Sequence, residues 1–490
     1  MMEGKIKKLH RMLLGRELSA LELTQRYLKA VQDYDETLHS FVTVTAEQAL
    51  EAAKRTDQKI AAGEEVGLLE GIPMAVKDCI STKGVLTSCG SKILSNYQPV
   101  FDAFAVEQLN KAGAVLLGKT NMDEFAMGST CESSWYGPTK NPYSLEHVPG
   151  GSSGGAAACV GADLSVYGLG SDTGGSVRQP ASFCGTVGLK PTYGSVSRFG
   201  LIAYASSLDQ IGVLAQGVED AAVVYDAIAQ YDCRDATCSN HNRVSCQQEL
   251  YQSIKGIKIG VLTNLFEGLN PEIEGLLQAA LQEFRSQGAE IIEITIPQFD
   301  LALPVYYILA CAEASSNLAR YDGVRYGYRA PVFEGVEDMI VKTRDQGFGV
   351  EVKRRIMLGN YVLSSGYFDA YYKRAQRMRE VITQSFGEAF SKVDLLFCPT
   401  VASTAFRLGE LSDPVSMYLT DLCTVTVNIC GLPAISVPCG YNHEGLPVGL
   451  QLIGNRFCEH TVLNAAYQYE QANWKTMYRK PVIGGDTVAI

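Results

Sequence analysis

The chain has 490 residues, 46% of them hydrophobic, with 47 glycines and 17 prolines spread along its length. That is enough apolar material for a large core with many tight turns, and it excludes a disordered or low-complexity protein. Its 53 acidic against 42 basic residues leave a formal charge of -11, which argues against a broad phosphate-binding surface, so any nucleic acid the chain serves is expected to be held by a partner.

In chain order, MMEGKIKKLHRMLLGRE has no signal-peptide core, and no later run reaches the length of an uncharged apolar membrane span, so a cytoplasmic protein without a membrane segment is expected. Ser19-Ala-Leu-Glu22 has the form of a capping box, and Leu21, Leu28 and Val31 then recur near a helical period. Thr45-Ala-Glu-Gln48 repeats the pattern, followed by Ala49, Ala53 and Ile60 and a stop at Gly63. Residues 1–65 are therefore expected to form an N-terminal helical cover.

Residues 66–297 read as a core. Strands are expected at 72–77, 114–117, 164–167, 257–262 and 290–294, and a helix at 105–112. A second helix starts at the cap and first-turn pair Asn270-Pro271 and stops at Gly288. Residues 298–385, rich in Tyr, Ala and Arg, read as a helical layer that lines a substrate cavity or packs on another polypeptide. Residues 386–490 return to the core with strands at 395–398, 434–438 and 448–453. The expected fold class is α/β, a large mixed β-sheet with helices on both faces, organised as one domain over 1–490.

Fourteen cysteines fall singly, none in a CxxC pair, and there are only six histidines. A metal site is not expected, and most thiols should be small, buried and reduced. Cys233 and Cys238 are the one close spacing, either joined or free in a polar loop.

Two glycine-rich loops carry the chemistry. Pro149-Gly150-Gly151-Ser152-Ser153-Gly154-Gly155 leads into an alanine run; it reads as a turn with positive φ angles or as a site loop, and it lacks the Lys-Ser or Lys-Thr pair of a phosphate-binding loop. Gly170-Ser171-Asp172-Thr173-Gly174-Gly175-Ser176 follows an expected strand, so a hydroxyl stands at a strand end with room for a substrate to approach. Backbone N–H groups of Thr173, Gly174, Gly175 and Ser176 are candidates to face an oxyanion.

A serine nucleophile needs a base. The histidines, His10, His39, His147 and His241 among them, show no GxSxG elbow, and His147 just before the first loop is the weaker candidate. Lys77 ends an apolar run, where desolvation favours its neutral form. Read alone, it is better taken as a strand-end lysine reaching solvent or pairing with Asp78; the two glycine-serine loops turn the reading toward a base.

The segments GIPMAVKD, GKTNMDEFAMGST, VPGGSSGGAAA, GSDTGGSVRQPASFCGTVGLKPTYG, ASSLDQIG and GLPAISVP resemble the amidase signature family over nearly the whole chain. RYDGVRYG, VKRRIMLG and YLTDLCTVTVNICGLP resemble its tRNA-linked branch, the glutaminase subunits of tRNA-dependent amidotransferases.

The resemblance implies Ser176 as acylated nucleophile, Ser152 as a bridging serine on a cis peptide after Gly151, and Lys77 as base. It also implies that Arg355 holds the α-carboxylate of L-glutamine, that Asp421 meets its α-ammonium, that Tyr307 closes the pocket with Tyr306 as the competing register, and that Gly128 places a carbonyl near the nucleophile. Arg178 and Gln451 would support the site. For Arg355 the plain alternative is a solvated member of a basic run, and for Asp421 a helix cap.

By the same resemblance this chain carries no cofactor or metal. ATP and Mg2+ belong to a partner B subunit, which together with a C subunit completes a heterotrimer and holds the misacylated tRNA. Ammonia from glutamine would convert Glu-tRNA(Gln), and as a second acceptor Asp-tRNA(Asn), to the amide, the glutamine-hydrolysing type of glutaminyl-tRNA synthase. Two other readings stay open: a free-standing amidase for small amides, whose pocket does not need both Arg355 and Asp421, and a noncatalytic scaffold.

Overall fold

The computed structural model describes residues 3–240, 244–411 and 413–484, so His241 lies outside the described residues. The strands are β1 (Phe41–Val44), β2 (Pro73–Lys77), β3 (Val115–Thr120), β4 (Tyr167–Asp172), β5 (Val187–Lys190), β6 (Gln210–Ala215), β7 (Lys258–Leu262), β8 (Glu290–Ile294), β9 (Leu395–Pro399), β10 (Ala434–Tyr441) and β11 (Pro447–Gly454). Among the described residues they form one 11-stranded sheet in the order β1-β3-β2-β4-β6-β5-β10-β11-β9-β7-β8. β2 runs parallel to β3 and β4, and β7 parallel to β8 and β9; the other neighbours are antiparallel. This is the mixed sheet expected from the sequence.

Every residue of β2, β4, β6 and β11 is buried, so the middle of the sheet is covered on both faces. Such strands read as continuous apolar or small-residue runs rather than as alternation. The helix Gly154–Gly161 packs on β2, β4 and β6, and the helix Glu459–Met477 on β10 and β11.

The N-terminal cover differs in detail from the expectation. It holds three helices, Lys5–Leu14, Ala20–Leu38 and Ala46–Ala62, and the edge strand β1. The capping box at Ser19 forms in full. The one expected at Thr45 does not, because the Thr45 hydroxyl donates instead to the carbonyl of Leu116 on β3 (2.8 Å). A strand ladder outcompetes the local cap there.

The expected strand at 164–167 lies too early, since β4 starts at Tyr167 and runs through Gly168, Gly170 and Ser171, residues that read as loop. The segment after 298 is helical, with Ala302–Asn317, Gly335–Gly347, Val350–Leu363 and Lys373–Phe390, the last passing the expected boundary at 385. Among the described residues no helix is long and apolar enough to cross a membrane.

Candidate active site

Lys77 is the last residue of β2 and is fully buried. Its neighbour β4 ends at Asp172, so the loop carrying Ser176 leaves the sheet on the same side and beside it. The helix Gly154–Gly161 crosses behind both strands and presents Ser152 and Ser153 at its N-terminus. The peptide bond between Gly151 and Ser152 is cis.

These elements converge on one amine. Lys77 Nζ lies 2.7 Å from Ser152 Oγ, 2.8 Å from Ser153 Oγ, 2.9 Å from Ser171 Oγ and 3.2 Å from the Ser171 carbonyl. Among the described residues it makes no bond to Asp78, whose carboxylate accepts from Ser88 and Gly90 instead. Lys77 does stand at a strand end, but the readings in which it reaches solvent or pairs with Asp78 are thereby overturned. Burial pushes the Lys77 pKa below the usual lysine value, against the opposing pull of Cys79 and Asp123.

The hydroxyl roles follow from proton counting. Ser153 commits its proton to the Ser171 carbonyl (3.1 Å), so it accepts from Lys77. Ser152 Oγ has no hydrogen-bond partner besides Lys77 among the described residues. Its own proton is therefore committed to no other acceptor among the described residues.

Ser176 is 9% exposed, and its carbonyl accepts from Ser153 N–H (3.1 Å). Its hydroxyl makes no hydrogen bond to Ser152 among the described residues, whereas Lys77 Nζ and Ser152 Oγ are in direct contact.

The loop itself is fixed by a buried ion pair. Asp172 accepts from Arg178 Nε and Nη2 (3.0 Å each), from Gly175 N–H (2.8 Å) and from Val177 N–H (3.1 Å). Arg178 also donates to Gln451 Oε1 (2.7 Å) and Asn428 Oδ1 (2.6 Å), so Arg178 and Gln451 are tied to the Asp172 carboxylate at the base of the Ser176 loop. Burial raises the Asp172 carboxyl, but the Arg178 guanidinium and Asn428 outweigh it and hold it well below the usual carboxylate range.

Gly175 corrects the oxyanion expectation: its N–H is committed to Asp172, while those of Thr173, Gly174 and Ser176 have no acceptor among the described residues. At φ +132°, with an added Cβ falling 2.2 Å from Thr424 Oγ1, position 175 admits only glycine.

The second cluster lies over this loop. Tyr306 lays its hydroxyl tip on Gly174. Tyr307 Oη donates to Asp421 Oδ2 (2.8 Å), and Ser129 Oγ, next to Gly128, donates to Asp421 Oδ1 (2.9 Å). The adjacent tyrosines thus divide the work, and Tyr307 is the one that meets Asp421. Gly128 itself packs on the Asp123 carboxyl.

Arg355 is 3% exposed, so it is not a solvated member of the basic run. It donates from Nε to Glu351 Oε1 (2.8 Å) and from Nη1 to Tyr204 Oη (2.7 Å), with the Tyr307 and Tyr418 rings each 5.3 Å from its guanidinium. The Asp421 side chain caps no helix. Burial pushes its carboxyl up to about 6, against Tyr307, Ser129 and Arg355.

Sequence reasoning picks out the Ser152-Ser153 pair but misses the parts played by Ser171, Ser129, Tyr204, Glu351 and Tyr418. Glu351 sits four residues before Arg355, a spacing that pairs charges on one helix face and is a signal for the contact. Tyr204 is brought in by tertiary packing alone. His147 bonds Ser144 Oγ (2.7 Å) and stands outside the Lys77 cluster. Cys233 and Cys238 are both free thiols, and no group of three or more His, Cys, Asp or Glu among the described residues is placed to hold a metal.

Known proteins share this fold and sequence. The Amidase family model matches residues 22–463. The A subunit of glutamyl-tRNA(Gln) amidotransferase from Cyanothece sp. is 55% identical over 95% of this chain and 97% of the relative, and that from Nostoc punctiforme is 53% identical over 98% and 99%. Among solved structures, the corresponding glutamyl-tRNA(Gln) amidotransferase polypeptide of Thermotoga maritima is 40% identical with a TM-score of 0.77, covering 93% of this chain and 95% of its own. The peptide amidase of Stenotrophomonas maltophilia is 31% identical with a TM-score of 0.81, covering 98% of each chain. With a family model matching most of its length and relatives above 50% identity over nearly all of it, the chain belongs to the amidase family.

Proposed function

We propose that this chain is the glutaminase subunit of a tRNA-dependent amidotransferase, releasing ammonia from L-glutamine through a Lys77–Ser152–Ser176 relay. The observation that carries the chemistry is the fully buried Lys77 amine 2.7 Å from Ser152 Oγ, beside the loop that presents Ser176. Neutral Lys77 takes the Ser152 proton as Ser152 takes that of Ser176, and the Ser176 oxygen attacks the carboxamide carbon. The N–H groups of Thr173, Gly174 and Ser176 receive the oxyanion. Collapse breaks the C–N bond, the relay returns a proton to the departing ammonia, and water then hydrolyses the γ-glutamyl ester.

The choice of glutamine rests on opposite charges over the same loop. Arg355 suits an α-carboxylate and Asp421 an α-ammonium, and both are buried, charge-complementary groups that a neutral small amide would not use. The relatives of more than 50% identity carry the amidotransferase name over nearly their full length, whereas the peptide amidase shares the fold at 31%. On this reading a B subunit holds ATP, Mg2+ and the misacylated tRNA, and a C subunit completes the cytoplasmic heterotrimer. Ammonia passes to Glu-tRNA(Gln), with Asp-tRNA(Asn) as the second acceptor to assay. The chain acts as one domain, with 298–385 as the layer that carries the glutamine clamp.

The test is ammonia release by the assembled complex with R355A and D421A. Loss on glutamine with retained hydrolysis of a neutral primary amide supports the reading. Equal activity of the wild type on simple amides and none on glutamine contradicts it and favours the free-standing amidase.

A further inference from the structure

The turn Asp123-Glu124-Phe125-Ala126 joins the two halves of the site through adjacent carboxyls. Asp123 faces the nucleophile side. Its Oδ2 accepts from Cys131 N–H (2.9 Å) and its Oδ1 from Ser133 Oγ (2.8 Å), which pins the loop carrying Ser129. Its N–H donates to the Ser152 carbonyl (3.3 Å), and its carboxyl lies so close to Gly151 that an added Cβ would fall 2.0 Å from Oδ2.

Glu124 faces the other way. Oε2 accepts from Gly349 N–H (2.8 Å), and Gly349 is the N-cap of the helix Val350–Leu363 that carries Glu351 and Arg355. Oε1 accepts from Ser91 Oγ, which lies 3.4 Å from the carbonyl of Gly347, two residues before that cap. Phe125 packs its ring on Phe348 (5.7 Å between centroids) and on Tyr321 (5.1 Å).

Phe125 and Ala126 both take positive φ (51° and 60°), a conformation costly for residues with side chains. The turn therefore holds a disfavoured shape that aims one carboxyl at each half of the site. Glu124 is 4% exposed and belongs to neither the Lys77 cluster nor the Arg355–Asp421 pocket.

Resting on the reading of Arg355 as glutamine clamp, we infer that Glu124 is a positioning residue that anchors the start of the Arg355 helix to the turn bearing the nucleophile-side loop, setting the distance between clamp and nucleophile. It touches no reacting atom. Its effect reaches glutamine only through Arg355.

The test is a double-substitution cycle in the assembled complex, reading KM and kcat for glutamine with E124A, E124Q, R355A and E124A/R355A. E124A is expected to raise KM about five- to tenfold, the scale of a lost helix-terminus contact, with kcat changed less than about threefold. E124Q, whose amide oxygen still accepts from Gly349 while its NH2 meets Ser91, is expected to restore most of the loss. The double variant is expected to be no worse than R355A alone. Additive losses, an equal fall in kcat, or an unaltered KM in E124A while R355A is impaired overturn the inference and leave the clamp intact. Wild-type kinetics in R355A overturn the clamp reading itself and the inference with it.

Discussion

Replacing Lys77 with methionine removes the amine and keeps most of the buried volume. Four contacts disappear, to Ser152 Oγ (2.7 Å), Ser153 Oγ (2.8 Å), Ser171 Oγ (2.9 Å) and the Ser171 carbonyl (3.2 Å). Ser153 keeps its bond to the Ser171 carbonyl, and only Ser152 loses its sole partner. One orphaned hydroxyl costs about 1–3 kcal/mol, offset by the buried amine no longer held out of water. Folding stability should therefore move by less than about 2 kcal/mol. Catalysis should move more, since loss of a positioned base costs about 10²- to 10⁴-fold, or roughly 3–5 kcal/mol of barrier. The assay is ammonia release from glutamine by the assembled complex, paired with a thermal unfolding midpoint. K77R should be as inactive, because a guanidinium stays charged. A folded K77M retaining kcat/KM within about tenfold of wild type would refute the base assignment.

R178M should leave Asp172 charged and unpaired in the core and destabilise the fold by about 3–5 kcal/mol, read by urea unfolding. G175A, at φ +132° and against Thr424, should cost at least about 1–3 kcal/mol and lower kcat by displacing the Ser176 loop, read by the same unfolding assay and by turnover. Asp421 must be ionised to hold an ammonium, and its carboxyl sits at about 6, so KM for glutamine should rise as pH falls through that value. KM measured across that range should show the rise in wild type and lose it in D421N.

Much of the site is legible in the sequence because its chemistry demands unusual local patterns. Two glycine-serine loops and a lysine closing an apolar run carry their reason in the residues. The neighbouring strand is less legible for the same cause: β4 reads as loop because Gly170 must be small, an added Cβ falling 2.8 Å from Val177 and 2.9 Å from Ser153 Oγ. The short strands β5 and β6 are hidden beside the glycine-rich blocks. The Thr45 cap fails because the sheet offers its hydroxyl a better acceptor. No local pattern shows that Asp172 claims the Gly175 N–H, one of the four groups expected to face an oxyanion. The surroundings of Arg355 are hidden for a different reason: Tyr204, Tyr307 and Tyr418 come from three separate parts of the chain, and only packing brings them to one guanidinium.

The relay is tested most directly by acid-quenching the assembled complex during glutamine turnover and mapping the covalent adduct by peptide mass spectrometry. The expected result is a γ-glutamyl ester on Ser176, absent in S176A, which should also lose ammonia release. An adduct on Ser152 or Ser153, or an undiminished rate in S176A, would contradict it.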